Sequence, residues 1–126
     1  MPNEIYGTVL TCIDGRIQRP VADFLVTRFG VPHIDMVTRA GMVKHLTSSY
    51  DPATNAIVND LEVSLSLHGS TQLALVAHYD CAGNPVDDDT QRTQLQHGVD
   101  HFVRRYPGLT IMGLWVGEKF TVEVLV

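Results

Sequence analysis

Short apolar runs alternate along the chain with stretches in which apolar residues recur at helical spacing. The runs predict five strands, which cover residues 6–12, 33–38, 72–77, 109–116 and 120–125. Three stretches carry an apolar residue every three or four positions, which predicts helices. Their apolar positions are Val21, Phe24, Leu25 and Phe29; Val58, Leu61 and Leu65; and Leu95, Val99, Phe102 and Val103. The predicted order of elements is therefore βαβαβαββ.

Turn and capping residues set the limits of these elements. Gly30 is predicted to end the first helix and Gly69 the second, because glycine readily adopts the left-handed conformation that closes helices. The aspartates at 87–89 suit the positive end of the third helix. Residues 43–53 and 78–86 are polar and turn-prone, so we predict that both are loops.

Strands separated by helices predict an α/β fold of three layers. A mostly parallel central sheet of about five strands would be flanked by helices on both faces. The last two strands are separated by the turn residues 117–119 alone, so we expect the final strand to run antiparallel. With 126 residues, the chain is expected to form a single domain over 1–126.

Composition narrows the class of protein. Nine basic residues against fourteen acidic ones give a net charge of −5, which argues against a nucleic-acid partner. No apolar run approaches the ~20 residues that span a bilayer, so we expect no membrane partner. Residues 1–7 lack the basic and apolar regions of a signal peptide. We therefore expect a cytoplasmic protein.

Polar residues cluster at the carboxyl ends of the first three predicted strands. The clusters are residues 12–16, 39–41 and 78–81. In open parallel sheets, ligands bind beyond the carboxyl ends of the strands, near the point where the strand order reverses. The three clusters therefore predict a functional site at that edge of the sheet.

Both cysteines of the chain fall in these clusters. Thiolate and imidazole are ligands that zinc prefers, and a catalytic zinc site uses three protein ligands and one open position. His78 and Cys81 lie on one loop, and the topology can bring Cys12 to them. These three residues predict a Cys2His zinc site with room for water. The alternative interpretation is that the cysteines are structural, because a buried cysteine without other potential ligands nearby usually behaves as a small apolar residue.

Asp14 and Arg16 lie two residues apart on the turn that follows Cys12. A guanidinium can keep a neighbouring carboxylate ionised and oriented. Such a carboxylate could accept a hydrogen bond from metal-bound water or bind the metal itself. An exposed turn pair without a function is the alternative interpretation.

Together, these motifs resemble those of the β-class carbonic anhydrases. The resemblance rests on their order and setting along nearly the whole chain: Cys12-x-Asp14-x-Arg16, Arg39-x-Gly41, His78-x-x-Cys81, and the final 111–116 strand with its hairpin. The resemblance implies that the zinc ligands are Cys12, His78 and Cys81. It also implies that Asp14 and Arg16 form a catalytic dyad. In that family the aspartate either orients zinc-bound hydroxide or occupies the fourth zinc position.

The implied activity is that of a zinc lyase. Zinc lowers the pKa of its bound water to about 7, and the resulting hydroxide converts CO2 reversibly to bicarbonate. The resemblance also implies a homodimer or a larger homo-oligomer. The chain departs from the family pattern around the site, at Gly15, Ala40, Met42, Ala77 and Ala82.

These departures leave other functions open. The same zinc site could hydrolyse COS or CS2 instead of hydrating CO2. The chain could be a non-catalytic zinc protein in which Asp14 closes the site. A metal-free redox protein with a Cys12–Cys81 disulfide is a fourth possibility, although no Cys-x-x-Cys motif is present.

The remaining polar candidates have weaker support. His97 and His101 lie four residues apart on a predicted helix and could form a two-histidine metal face, but no third ligand is evident. The other scattered histidines, His33, His45 and His68, are expected on the surface or partly buried. For Tyr79 and Asp80, we expect packing and a loop hydrogen bond.

Overall fold

The computed structural model describes residues 5–47 and 51–126. Within them the predicted alternation of strands and helices is confirmed. The strands are β1 (Tyr6–Thr11), β2 (His33–Thr38), β3 (Gln72–His78), β4 (Thr110–Val116) and β5 (Val122–Val124). The helices are α1 (Gln18–Phe29), α2 (Pro52–Leu67) and α3 (Asp88–Arg105), with one 3-10 turn at Met42–His45.

The five strands form one sheet in the order β2-β1-β3-β4-β5. All neighbouring strands are parallel except β4 and β5, which are antiparallel as predicted. The chain passes from β1 to β2 on one side and then returns to place β3 on the other side of β1. The strand order therefore reverses between β1 and β3, and their carboxyl ends flank the crevice where such folds bind ligands.

Each face of the sheet carries an apolar layer, so the prediction of three layers is confirmed. On one face, α2 and α3 pack through residues such as Leu61 and Phe102 against Leu75. On the other, α1 packs through Leu25 against Val76, in a cluster that also holds both cysteines. Adjacent residues of β3 point to opposite faces, which is why its continuous apolar run is buried on both sides.

The prediction that residues 43–53 form a loop is wrong at both ends. Met42–His45 forms the 3-10 turn, and α2 already begins at Pro52. The side chain of Asp51 accepts a hydrogen bond of 2.8 Å from the backbone N–H of Thr54, which caps the helix. Asp51 and Pro52 are therefore a helix start rather than a turn. Residues 48–50 of the predicted loop lie outside the described residues.

The last predicted strand, 120–125, is shorter in the structure. The regular strand covers Val122–Val124 and begins after Phe120, which has a left-handed backbone with φ 55°. Leu125 and Val126 continue the contact with β4 through backbone hydrogen bonds to Gly113. His78, predicted as the first residue of a loop, is the last residue of β3. Within residues 5–47 and 51–126, every helix is too short or too polar to span a bilayer.

Two loops meet backbone to backbone above the carboxyl edge of the sheet. Gly41, with φ 64°, lies against Gly83, and a Cβ atom on Gly83 would stand 2.6 Å from the Gly41 nitrogen. The Lys44 ammonium donates a 2.6 Å hydrogen bond to the Gly83 carbonyl. This contact joins the segment after β2 to the loop after β3, which carries Cys81.

We predict that Gly41→Ala destabilises the protein more than Gly30→Ala does. Both glycines have left-handed backbones, of φ 64° and φ 66°, so each alanine costs about 1–2 kcal/mol. Only Gly41 has backbone atoms in the way of a Cβ, and relieving that clash costs about 1–3 kcal/mol more. Urea unfolding of both variants measures the difference. Equal losses would contradict the close packing of the two loops.

Candidate metal centre

Three potential metal ligands come together where β1 and β3 end. Cys12 follows β1, His78 ends β3, and Cys81 lies in the next loop. Their ligand atoms lie within 4.8 Å of one another, and all three side chains are buried. The two cysteines are free thiols with their sulfurs 3.8 Å apart. Across residues 5–47 and 51–126, no other group of three such side chains is this close.

The hydrogen bonds of His78 leave one ring nitrogen available. Its Nδ1 lies 2.8 Å from the Tyr79 carbonyl, to which Nδ1–H donates. Its Nε2 is buried and has no hydrogen-bond partner. Metal-bound histidines commonly hold one ring N–H on a carbonyl while the other nitrogen binds the ion. A buried nitrogen without a partner is otherwise uncommon.

The separation of the two sulfurs also fits a zinc ion. Zinc–sulfur bonds are about 2.3 Å long, and two such ligands on a tetrahedron lie about 3.8 Å apart. The observed distance between the Cys12 and Cys81 sulfurs is 3.8 Å. The donor set, the sulfur spacing and the unpartnered Nε2 of His78 all suit a tetrahedral ion that prefers sulfur and nitrogen.

Sequence reasoning missed Gln91, which holds the backbone of His78. Gln91 is buried on α3, where its amide N–H donates to the His78 carbonyl and its Oε1 accepts from the His78 N–H at 3.4 Å. The sequence could have indicated Gln91 by its position, because it lies four residues before the core residue Leu95 and therefore on the same face of the helix. A polar residue at such a position needs a buried partner.

Burial and neighbouring groups separate the two thiols electrostatically. Burial raises the pKa of Cys12, but the His78 imidazole and the backbone N–H of Gly41, 3.4 Å from the sulfur, lower that pKa to about 6. Burial raises the pKa of Cys81, and the nearby Cys12 sulfur raises it further. Burial lowers the pKa of His78, but its interactions with Cys12, the Tyr79 carbonyl and Asp14 together raise it above the usual value. Cys12 is therefore the thiol more easily ionised.

Asp14 and Arg16 form an ion pair at the rim of this cluster. The Arg16 Nη2 lies 2.7 Å from Asp14 Oδ2, and Nε contacts both carboxylate oxygens. The Arg16 backbone N–H also donates to Asp14 Oδ1 at 2.9 Å. These hydrogen bonds lower the pKa of Asp14 to about 2, so the carboxylate is ionised near neutral pH. The expected pairing of the two side chains is present.

Gln18 fixes the loop that carries this pair. Its side-chain amide donates to the carbonyls of Cys12 and Asp14, both at 2.8 Å. Residues of the first helical turn that reach back to a preceding loop are not visible in the apolar pattern of the sequence. Gln18 is therefore a second supporting residue that sequence reasoning missed.

A cavity of about 290 Å³ opens beside Cys12 and Asp14. Small and apolar residues dominate its lining, which consists of Cys12, Ile13, Asp14, Gly15, Ala40, Ala82 and Gly83. Three positions that depart from the family pattern, Gly15, Ala40 and Ala82, are thus in the cavity wall. Ala77 and Met42, by contrast, are buried in the core on the α2 and α3 face.

Some polar residues of the predicted clusters lie outside the site. Arg39 is exposed, and its backbone N–H donates to the Thr11 carbonyl at 3.1 Å. Tyr79 packs against the core, and Asp80 accepts hydrogen bonds from Arg16, as expected. Arg39 and Tyr79 are therefore members of these clusters that do not line the cavity.

The remaining histidines lie away from the three-ligand cluster. His68 contacts Asp35 at 2.6 Å and stacks on Tyr6 with ring centroids 3.9 Å apart. His97 and His101 line a separate cavity of about 160 Å³ with Asp100, and they are not part of a three-ligand group in the described chain.

A family model described as "Putative carbonic anhydrase" matches residues 2–126. No curated protein matches the chain. Solved structures with a similar fold include a β-carbonic anhydrase from Sordaria macrospora, from a study of two tetrameric enzymes. It has 13% identity and a TM-score of 0.64, and the match covers 98% of this chain and 82% of that one.

Two further structures are about as similar. A carbonic anhydrase from Glaciozyma antarctica has 14% identity and a TM-score of 0.64, with 99% of this chain and 85% of that one covered. The apo form of a carbon disulfide hydrolase has 14% identity and a TM-score of 0.63, with coverages of 98% and 79%. At these identities the likeness shows a shared fold.

In the metal-free protein, we predict that Cys12 is alkylated by iodoacetamide with a midpoint near pH 6. The thiolate is the reactive form, so modification is slow below that pH and fast above it. Cys81 is the internal control, because its raised pKa keeps it a thiol near neutrality. Mass spectrometry of the modified peptides distinguishes the two. Equal pH dependence of both cysteines would contradict the electrostatics described above.

Proposed function

Because this chain belongs to the carbonic anhydrase family, whose model matches residues 2–126, we propose that it catalyses the zinc-dependent reversible hydration of CO2 to bicarbonate. The observation that carries the proposal is the buried cluster of Cys12, His78 and Cys81 beside the ionised Asp14. The unpartnered Nε2 of His78 supports a metal at that place.

Cys12, His78 and Cys81 would hold the zinc ion. A zinc ion bound there would supply Lewis acidity, which makes hydroxide accessible near neutral pH. The Tyr79 carbonyl keeps the proton of His78 on Nδ1 and thereby leaves Nε2 as the ligand atom. The N–H of Gly41 stabilises negative charge on the Cys12 sulfur.

Asp14 would orient the attacking oxygen rather than deliver a proton. Its low pKa leaves the carboxylate ionised at neutral pH, where it can accept a hydrogen bond but cannot donate one. Arg16 holds both oxygens and so limits their movement. Asp14 does not belong to the group of side chains close enough to share an ion. This favours a site whose fourth position is left to water and substrate over one that Asp14 closes.

The cavity suits a small non-polar substrate. Ile13, Ala40 and Ala82 provide an apolar wall next to Cys12 and Asp14, where a molecule such as CO2 loses little solvation on binding. COS and CS2 share this linear, non-polar character and are the alternative substrates. The fold shared with a carbon disulfide hydrolase supports testing them.

We also propose that the protein is a homo-oligomer, a dimer or larger. The similar Sordaria macrospora enzymes are tetrameric. In this chain, β2 is an edge strand whose apolar Ile34, Met36 and Val37 are only partly buried. We propose the cytoplasm as its compartment, because a reducing environment keeps Cys12 and Cys81 available as thiolate ligands.

We predict that Asp14→Asn lowers the rate of CO2 hydration about 10- to 100-fold while the zinc content stays near one ion per chain. The amide keeps the size of the side chain but removes the charge that orients the nucleophile. Stopped-flow assays with CO2, COS and CS2, together with metal analysis, measure both quantities. The control is Asp60→Asn, which removes the same charge from an exposed position on α2.

Two outcomes would contradict the proposed function. One is an unchanged rate in Asp14→Asn, which would remove the role of the carboxylate. The other is a zinc-loaded wild-type protein that converts none of the three substrates.

A further inference from the structure

Two unusual backbone conformations converge on the Arg16 side chain. Among the described residues, Asp80 and Phe120 are the non-glycine residues with a left-handed backbone, at φ 57° and φ 55°. Asp80 lies between β3 and α3, and Phe120 lies in the turn between β4 and β5. Both contact the Arg16 guanidinium, which comes from the loop after β1.

The Arg16 guanidinium contacts two carboxylates, those of Asp14 and Asp80, and the ring of Phe120. Nη1 lies 3.3 Å from Asp80 Oδ2, and Nη2 donates to the Asp80 carbonyl at 3.0 Å. Nε and Nη2 also donate to Asp14. The Phe120 ring centroid lies 5.1 Å from the Arg16 Cζ, within cation–π distance. Because the guanidinium is planar and rigid, bonds at both ends set its orientation.

The left-handed backbone conformation costs free energy, so its presence at Asp80 and Phe120 suggests that these residues have a function. Aspartate adopts it with little penalty, but a bulky aromatic residue does so rarely. Such conformations persist where surrounding contacts hold them, and they concentrate at functional sites. Here the two residues share one contact, which is Arg16.

This contact network connects Asp14 to the loop that carries Cys81. Asp14 receives Arg16 hydrogen bonds on both oxygens, so its position follows that of the guanidinium. The other end of the guanidinium is bonded to Asp80, the residue directly before Cys81. The Arg16 and Asp80 side chains are 43% and 67% exposed, and such ion pairs add little stability. Geometry rather than stability is what the pair provides.

We propose that Asp80 is a positioning residue for Asp14, acting through Arg16, while the Phe120 ring covers one face of the guanidinium. Asp80 thereby sets the distance between the Asp14 carboxylate and the ligand loop. The inference rests on the proposed function insofar as its effect is measured as turnover.

The test compares Asp80→Gly with Asp80→Asn in the zinc-loaded full chain. Glycine removes the carboxylate and favours a φ of 57°, whereas asparagine keeps an oxygen acceptor and tolerates that conformation. We expect Asp80→Gly to lower kcat about tenfold with KM and zinc content unchanged, and Asp80→Asn to retain more activity. The Tm of Asp80→Gly should equal or exceed that of Asp80→Asn. A purely structural role predicts that activity follows stability, so full activity in Asp80→Gly would overturn the inference.

A double-mutant cycle tests the path through Arg16. If Asp80 acts through the guanidinium, adding Asp80→Gly to Arg16→Gln causes no further loss of kcat. A further loss of about tenfold, as in the single variant, would show that Asp80 acts by another route and would overturn the inference.

A spectroscopic readout separates this inference from the proposed function. In the wild-type protein, we expect the Arg16 Nη–H protons to give separate NMR signals at low temperature, because both ends of the guanidinium are bonded. In Asp80→Gly the two Nη1–H signals should merge, because Nη1 loses its carboxylate partner, whereas Nη2 keeps its bonds to Asp14 and to the residue 80 carbonyl. Separate Nη1–H signals in both proteins would overturn the positioning role. Absence of turnover in the wild-type protein would instead overturn the proposed function, and the spectra would still test Asp80.

Discussion

Parallel pairing between β1 and β3 is the interaction on which the rest of the site depends. Leu10 lies opposite Leu75, which brings Cys12 level with the end of β3, where His78 stands. Strand side chains alternate between faces, so a slip of one residue would turn Cys12 away from the cluster that also contains Cys81. The pairing joins segments more than sixty residues apart. The apolar layers on both faces stabilise this pairing, and its register brings Cys12, His78 and Cys81 together.

Burying the side chains of Cys12, His78 and Cys81 without a cation between them raises the free energy of the folded state. Two thiols and an imidazole lie in the interior, and one imidazole nitrogen lacks a partner. Interaction with His78 favours the Cys12 thiolate, while burial keeps Cys81 protonated. A divalent ion would satisfy both sulfurs and the nitrogen together. Outside this group, Arg16 keeps Asp14 ionised and links it to Asp80.

Much of the fold followed from local patterns in the sequence. Helical spacing and apolar runs indicated the α/β order, and the polar clusters at strand ends identified Cys12, His78 and Cys81 as neighbours. Local patterns did not reveal the features that depend on contacts between distant segments of the chain. Gln91 holding the His78 backbone and the left-handed Asp80 are examples. Aspartate is common both in turns and at helix starts, so the local pattern does not distinguish a turn from a helix cap at Asp51.

The most direct test of the metal centre is X-ray absorption at the zinc edge of the protein purified without chelators. We predict two sulfur neighbours at about 2.3 Å and two nitrogen or oxygen neighbours at about 2.0–2.1 Å, in a tetrahedral site. In Cys81→Ser, one sulfur neighbour should disappear or the zinc should be lost. A protein that retains no zinc, or one whose zinc has no sulfur neighbours, would contradict the assignment of Cys12, His78 and Cys81.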